Sequence, residues 1–243
     1  RPDIHRARKR IMQSQTIEFE GSGGVKLIAD AWGNPKADPI LFMHGGGQTR
    51  HSWGGAALLL ANKGWRTLSI DLRGHGDSGW SPEGEYEAEH FVADINSVLT
   101  QLDRTAVLVG ASLGGRTATF VVGNGVPDLC RALVLVDITP KIEAKGAERI
   151  LAFMNKHPNG FAALEEAADA VAEYREYRSR PKDVSGLKKN LRLRDDGRWY
   201  WHWDPKFLDR QHPHDEEASR KISEAAANIK IPTLLVRGGS SDV

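Results

Sequence analysis

Val107-Leu108-Val109-Gly110-Ala111-Ser112-Leu113-Gly114-Gly115 is the stretch whose reading decides the fold. Its apolar, valine-rich start has the character of a buried strand, and residues 116–122 continue it as a helix. Between the two stands G-x-S-x-G. A serine on a sharp strand-to-helix turn lifts its hydroxyl above the sheet edge, and its strained backbone demands small neighbours. Gly110, Ala111 and Gly114 meet that demand. The helix start behind Ser112 supplies partial positive charge and free N–H groups where an oxyanion would form. Taken without its flanks, the same pentapeptide is equally a glycine-rich turn that happens to hold a serine. The strand before it and the helix after it favour the first reading.

Working outward, residues 15–20 and 25–32 read as a hairpin around Gly21-Ser22-Gly23-Gly24. Ile40-Leu41-Phe42-Met43 is a short buried strand that ends at His44-Gly45-Gly46-Gly47. Residues 52–63 read as a helix closed by Gly64, and residues 65–70 as the next strand. Asp71-Leu72-Arg73-Gly74-His75-Gly76-Asp77-Ser78-Gly79 follows as a loop. Phe91, Ile95, Val98 and Leu102 form one stripe of a helix over 87–102, and residues 131–136 are another buried strand ending at Asp137. Strands alternating with helices predict an α/β fold, a mostly parallel sheet with helices on both faces.

After Pro140 the pattern changes. Residues 141–228 are helical, charged and aromatic-rich, with Trp199-Tyr200-Trp201-His202-Trp203 the densest aromatic cluster. Ile150, Phe153 and Met154 suggest one amphipathic helix and residues 161–177 a second. Residues 231–239 then resume the buried-strand pattern. A helical block between two sheet strands predicts an inserted cap. The expected division is a basic extension over 1–14, a first core segment over 15–139, a helical cap over 140–229 and a second core segment over 230–243.

The 243 residues, 40% hydrophobic and 27% charged with a net charge of +1, suit one large domain with an insertion. Near-neutral charge gives no reason to expect nucleic acid as a partner. The short basic start (Arg6, Arg8, Lys9, Arg10) reads as a solvated tail. Cys130 is the only cysteine, so no internal disulfide can form, which fits a cytoplasmic setting. No stretch reads as a membrane span or a signal peptide. The chain begins with arginine, so its start was removed or it belongs to a longer chain.

In their order, these motifs resemble the α/β-hydrolase superfamily, in its capped, esterase-like serine hydrolases. The resemblance covers residues 15–139 and 231–243; the cap matches only in placement. It implies that Ser112 is the nucleophile and that the backbone N–H groups of Leu113 and Gly46 form the oxyanion hole. His44 would shape that loop and border the substrate pocket. Asp242, after the last strand, would be the triad acid, with Asp137 the alternative. The family order is serine, acid, histidine, yet none of the nine histidines follows Asp242. The family's last strand and helix are likewise missing, so the sequence is expected to be truncated relative to a full hydrolase. The base would lie roughly 25–30 positions downstream. If the chain were complete, a cap histidine such as His202 would have to substitute.

Three further patterns are set aside. Gly74-His75-Gly76-Asp77-Ser78-Gly79 matches a dinucleotide fingerprint, but no helix follows it. His212-Pro213-His214-Asp215 lacks the spacing of a metal site, and Cys130 reads as a packed small residue. No metal or cofactor is expected. Trp199 and Trp201 either pack the cap onto the core or line the substrate pocket. The implied activity is cleavage of a carboxylic ester or lactone of a small, hydrophobic substrate through an acyl-enzyme. The same triad chemistry also serves carbon–carbon bond hydrolysis and perhydrolysis. The alternative is a non-catalytic small-ligand-binding protein, or an inactive fragment, on the same scaffold. No partner other than a small molecule is indicated, and the oligomeric state is open.

Overall fold

A computed structural model describes residues 12–125, 127–139, 144–174, 180, 182–209 and 216–239. Its centre is a seven-stranded sheet of order β1-β2-β4-β3-β5-β6-β9. Strands β1 (Gln15–Glu20) and β2 (Lys26–Trp32) pair as the expected antiparallel hairpin, and β2 also runs antiparallel to β4 (Arg66–Ile70). From β4 onward the sheet is parallel: β3 (Pro39–Met43), β5 (Ala106–Ala111), β6 (Cys130–Val136) and β9 (Thr233–Val236).

The centre of the sheet is covered on both faces because β3 and β5 are apolar at nearly every position, not at alternate ones. Ile40, Phe42 and Val109 pack with Ala57 and Ala61 of α1 (Gly54–Ala61) on one face. Leu41, Met43 and Leu108 pack on the other with Phe91, Ile95 and Val98 of α2 (Ala88–Gln101) and with Ala118 and Val121 of α3 (Leu113–Asn124). The helix expected over 52–63 is shorter in α form: its first turn, Arg50–Trp53, is a 3-10 turn, and Gly64 ends it at φ +96°.

The stretch expected as a cap holds α4 (Ala144–Asn155), α5 (Leu164–Tyr174), a two-stranded hairpin of β7 (Leu191–Leu193) and β8 (Trp199–Trp201), and α6 (Glu216–Ala227). The hairpin was not foreseen, because its strands are three residues each and polar-flanked. Helix α6 does not sit with the rest. It packs on α3, with Ile222 against Phe120 and the Ala225 backbone against Gly123, as the crossover helix leading into β9. Strand β9 is at the edge of the described sheet, with Leu234 and Leu235 57% and 56% exposed.

Candidate active site

Strand β5 runs straight into Ser112, and α3 starts at the next residue. Ser112 adopts φ 46° and ψ −113°, a left-handed backbone that a side-chain-bearing residue takes only when its surroundings enforce it. The enforcement is visible in the glycines. A Cβ on Gly114 would lie 2.5 Å from the Met43 carbonyl oxygen, and one on Gly110 would lie 2.4 Å from the Gly114 oxygen. The turn closes only because strand β5, helix α3 and the end of β3 meet backbone to backbone. Ser112 is exposed, and its hydroxyl has no hydrogen-bond partner among the described residues.

The glycine loop after β3 lies against this turn. A Cβ on Gly45 would stand 3.3 Å from Ser112 Cβ, and the Gly114 N–H donates to the His44 carbonyl at 3.0 Å. Within the loop almost every backbone group is held. The Gly45 N–H donates to Gln48 Oε1 at 3.2 Å, the Gly47 N–H to His75 Nε2 at 3.1 Å and the Gln48 N–H to the Gly45 carbonyl at 3.1 Å. The Gly46 and Leu113 N–H groups have no partner among the described residues. The amide next to the serine and one in the loop packed against its turn thus both lack a partner among the described residues.

His44, His75 and His202 cluster beside the loop, tilted to one another, with ring centroids 5.1 Å and 5.8 Å apart. All are buried. His44 Nδ1–H donates to the Gly45 carbonyl at 2.8 Å, and its Nε2 accepts the Leu72 N–H at 3.0 Å. His75 Nδ1–H donates to the Arg73 carbonyl at 2.9 Å while its Nε2 accepts from Gly47. His202 is turned the other way: Nδ1 accepts the Gly76 N–H at 2.7 Å and Nε2–H donates to the Gly47 carbonyl at 3.2 Å. Each ring has one donor and one acceptor nitrogen in use, the pattern of a neutral imidazole. Burial accordingly lowers His44 to about 4, and burial plus the neighbouring His44 lowers His75 to about 3. His202 is lowered as well, chiefly by burial. With both nitrogens committed to backbone, His202 is not available as a substitute base, and none of the three rings offers a lone pair to a metal. Among the described residues no cluster of three metal-ligating side chains occurs.

The loop over 71–79 is structural. Asp71, fully buried, accepts the N–H groups of Arg50 at 2.6 Å and Asp77 at 2.9 Å and pairs with the Arg50 guanidinium. Burial works against the charge of Arg50, but Asp71, Asp77 and Asp30 outweigh it and raise its pKa. Arg73 makes a buried fork onto Asp94 at 2.7 and 2.8 Å. Asp77 reaches from Arg50 (2.8 Å) to Arg192 of β7 (2.5 Å), tying the loop to the hairpin. Cys130 is buried, and burial pushes its thiol up to about 11, which fits an inert packed side chain.

Side chains outside the sequence motifs also face the glycine loop. Phe207 ring carbons lie 3.8 Å from a Cβ built on Gly46, and Met154 Cε (3.1 Å) and Trp203 (3.5 Å) face Gly47. Trp201 stacks on Trp203 at 5.0 Å, edge-on to Phe161, and its indole N–H has no partner among the described residues. Trp199 is a layer further out, bonded through its backbone to Phe161. Phe207 and Met154 lie in sequence surroundings without any motif, so only contact reveals them. Asp137 sits at the end of β6 at φ 52°, and its Oδ1 accepts the Gly238 N–H at 3.1 Å, bracing the turn after β9. Asp242 lies outside the described residues, as do His212 and His214. No described helix is long and apolar enough to cross a membrane.

Comparison with known proteins agrees with this geometry. The sequence profile of the alpha/beta hydrolase fold family matches residues 38–241. An esterase of Mycobacterium tuberculosis is 32% identical over 241 residues, covering 93% of this chain and 73% of the relative. The crystal structure of that esterase superposes with a TM-score of 0.70 at 28% identity over 95% of this chain and 76% of its own. The structure of E-2-(acetamidomethylene)succinate hydrolase superposes with a TM-score of 0.78 at 25% identity, covering 94% of this chain and 82% of that one. A non-heme chloroperoxidase of Burkholderia pyrrocinia is 35% identical over 124 residues, half of this chain and 44% of the relative. With its sheet order, its strand-serine-helix turn and these matches, the chain belongs to the α/β-hydrolase family of enzymes.

Proposed function

We propose that this protein is a serine hydrolase that cleaves a carboxylic ester or lactone of a small, apolar substrate. The observation that carries the reading is the Ser112 turn, a strained serine followed by the unpartnered Leu113 N–H and packed against the glycine loop that holds the unpartnered Gly46 N–H. Ser112 Oγ bonds to the substrate carbonyl carbon as a histidine takes its proton. The carbonyl π electrons move onto oxygen, which the two amides receive. The electrons return, the carbon–oxygen bond to the alcohol breaks, and the histidine gives the alcohol its proton. Water, deprotonated by the same histidine, then attacks the acyl-enzyme and releases the acid and Ser112.

The described histidines are either committed to backbone partners or without a bond to Ser112, so in this reading the base comes from outside the described residues. The family order puts it after the acid. We assign that acid to Asp242. Asp137 is the second candidate, but one of its oxygens is engaged with the Gly238 N–H. The cap, in this reading, is α4, α5 and the β7–β8 hairpin, with α6 part of the core. Met154 of α4 and, after the hairpin, Trp203 and Phe207 put apolar side chains against the glycine loop, which favours an apolar acyl or alcohol group. The name of the esterase relative points the same way.

The test is labelling of the intact protein with a fluorophosphonate probe, together with turnover of p-nitrophenyl esters of increasing chain length. Ser112-dependent labelling, lost in Ser112→Ala, is expected. A correctly folded wild type that neither labels nor turns over ester leaves the non-catalytic ligand-binding alternative.

A further inference from the structure

The 3-10 turn before β7 (Ser185–Lys189) and β7 itself face the core across an open cleft of about 430 Å³. That volume falls in the range of sites for small organic molecules. From the core, His51 and Asp77 line it; from the inserted block come Lys188, Lys189 and Arg192. The two walls are pinned to each other. The Thr49 hydroxyl donates to Asn190 Oδ1 at 3.1 Å, and the Asp77 carboxylate joins Arg50 at 2.8 Å to Arg192 at 2.5 Å. These bonds fall within two residues of His51, Lys188 and Lys189, so the backbone of each wall is fixed.

The charges on the cleft do not cancel. Three cations face one carboxylate, which leaves the lining at +2 with His51 neutral. Asp77 is already spent on its two guanidinium partners. Arg192 is spent as well, donating to Asp77 and to the Leu191 carbonyl. Lys188 and Lys189 are exposed, and neither ammonium has a partner among the described residues. Their field reaches the far wall. Burial and Arg50 lower the pKa of His51, Asp30 and Asp71 pull it up, and Lys189 lowers it again.

Two lysines on a surface turn are by themselves a solvated face. Here they share the cleft with apolar surface, since Leu193 lines it while 58% exposed and Leu191 adds a buried side chain. Unbalanced positive charge beside exposed apolar surface suits a ligand with an anionic head and an apolar body.

We propose that this cleft binds an organic phosphate, with its dianionic head on Lys188 and Lys189 and its apolar body on Leu193. A dianion is favoured over a carboxylate because two adjacent unpaired ammoniums need two charges to balance them. Lysine serves phosphate as a compact point charge. No residue of the serine turn or of the glycine loop lines the cleft, so the site is separate from the one proposed for ester cleavage.

The experiment is calorimetric titration of the protein with phenyl phosphate, inorganic phosphate and benzoate at low ionic strength. Phenyl phosphate is expected to bind with a Kd below about 1 mM, and benzoate at least about fivefold more weakly. Lys188→Ala combined with Lys189→Ala should weaken phenyl phosphate at least about tenfold. Leu193→Ser should weaken it about threefold and leave inorganic phosphate within about twofold. Lys63→Ala, at an exposed lysine outside the cleft, and Ser112→Ala should both bind as wild type does. By NMR, phenyl phosphate should raise the pKa of His51 in wild type and not in the double lysine variant. No binding by wild type at about 10 mM overturns the proposal, as does undiminished binding by the folded double variant. An equal loss in Lys63→Ala would mean unspecific attraction, and a loss in Ser112→Ala would put the probe at the serine turn; either refutes the site. Unchanged phenyl phosphate binding in Leu193→Ser refutes the seat given to the apolar body. Absence of Ser112-dependent ester turnover leaves these results untouched, so the two readings fail separately.

Discussion

Replacing Ser112 with glycine is expected to make the protein more stable while removing the group proposed to do its chemistry. The serine sits at φ 46° and ψ −113°, a backbone region that costs about 1–3 kcal/mol for a residue with a Cβ. Its side chain returns little of this, since it is exposed and its hydroxyl has no partner among the described residues. Glycine removes the strain but loses about 0.5–1 kcal/mol more conformational entropy on folding. The net gain for Ser112→Gly is thus about 1 kcal/mol, at most about 2.5. For a chain of this size a gain of about 1 kcal/mol raises Tm by roughly 2–4 °C. Ser112→Ala keeps the Cβ and the strain, so it should melt within about 1–2 °C of wild type, as for surface changes generally. The assay is urea unfolding followed by circular dichroism, checked by calorimetry, on the three proteins side by side. If Ser112→Gly is no more stable than Ser112→Ala, the turn is not strained and the argument that the fold stores energy at this serine is wrong.

Gly114→Ala should destabilise by about 1–3 kcal/mol or fail to fold, because its Cβ would lie 2.5 Å from the Met43 carbonyl oxygen on an adjoining buried strand; a wild-type melting curve would contradict this. Asp94→Ala should cost about 3–5 kcal/mol in urea unfolding, since it strands the Arg73 guanidinium, itself 1% exposed, without its carboxylate. Acid should unfold the protein early. His44 at about 4 and His75 at about 3 stay neutral when folded, whereas the unfolded chain takes up those protons near 6.5. Their contribution is intact above the unfolded value. Below it each ring removes about 1.4 kcal/mol per pH unit until its folded value is reached. Urea midpoints between about pH 7 and 5 should therefore fall steeply, and a flat profile there would count against neutral buried rings.

The serine turn was legible from sequence because its signal is local. An apolar run, a serine between small residues and a helix state their own geometry, and the alternation of such units states a parallel sheet. The hairpin at the start and the strands through Val136 follow from the same short-range patterns. The domain edges were less legible. Helix α6 carries a charged amphipathic pattern like that of α4, so nothing in its residues told that it packs on α3. His202 stood out only as a histidine in an aromatic cluster, and its use had to await the fold. What the sequence by itself determined is the elbow, the glycine loop and their order along the chain, since these depend on residues within hydrogen-bonding reach of one another along the backbone. What only the tertiary structure decided is which nitrogen of each buried histidine donates, which side chains of the inserted block touch the loop, and that Gly76 and Gly47, 126 and 155 positions before His202, meet on its imidazole. Those contacts are set by how helices and hairpin pack on the sheet, and packing depends on the whole surface that each element presents.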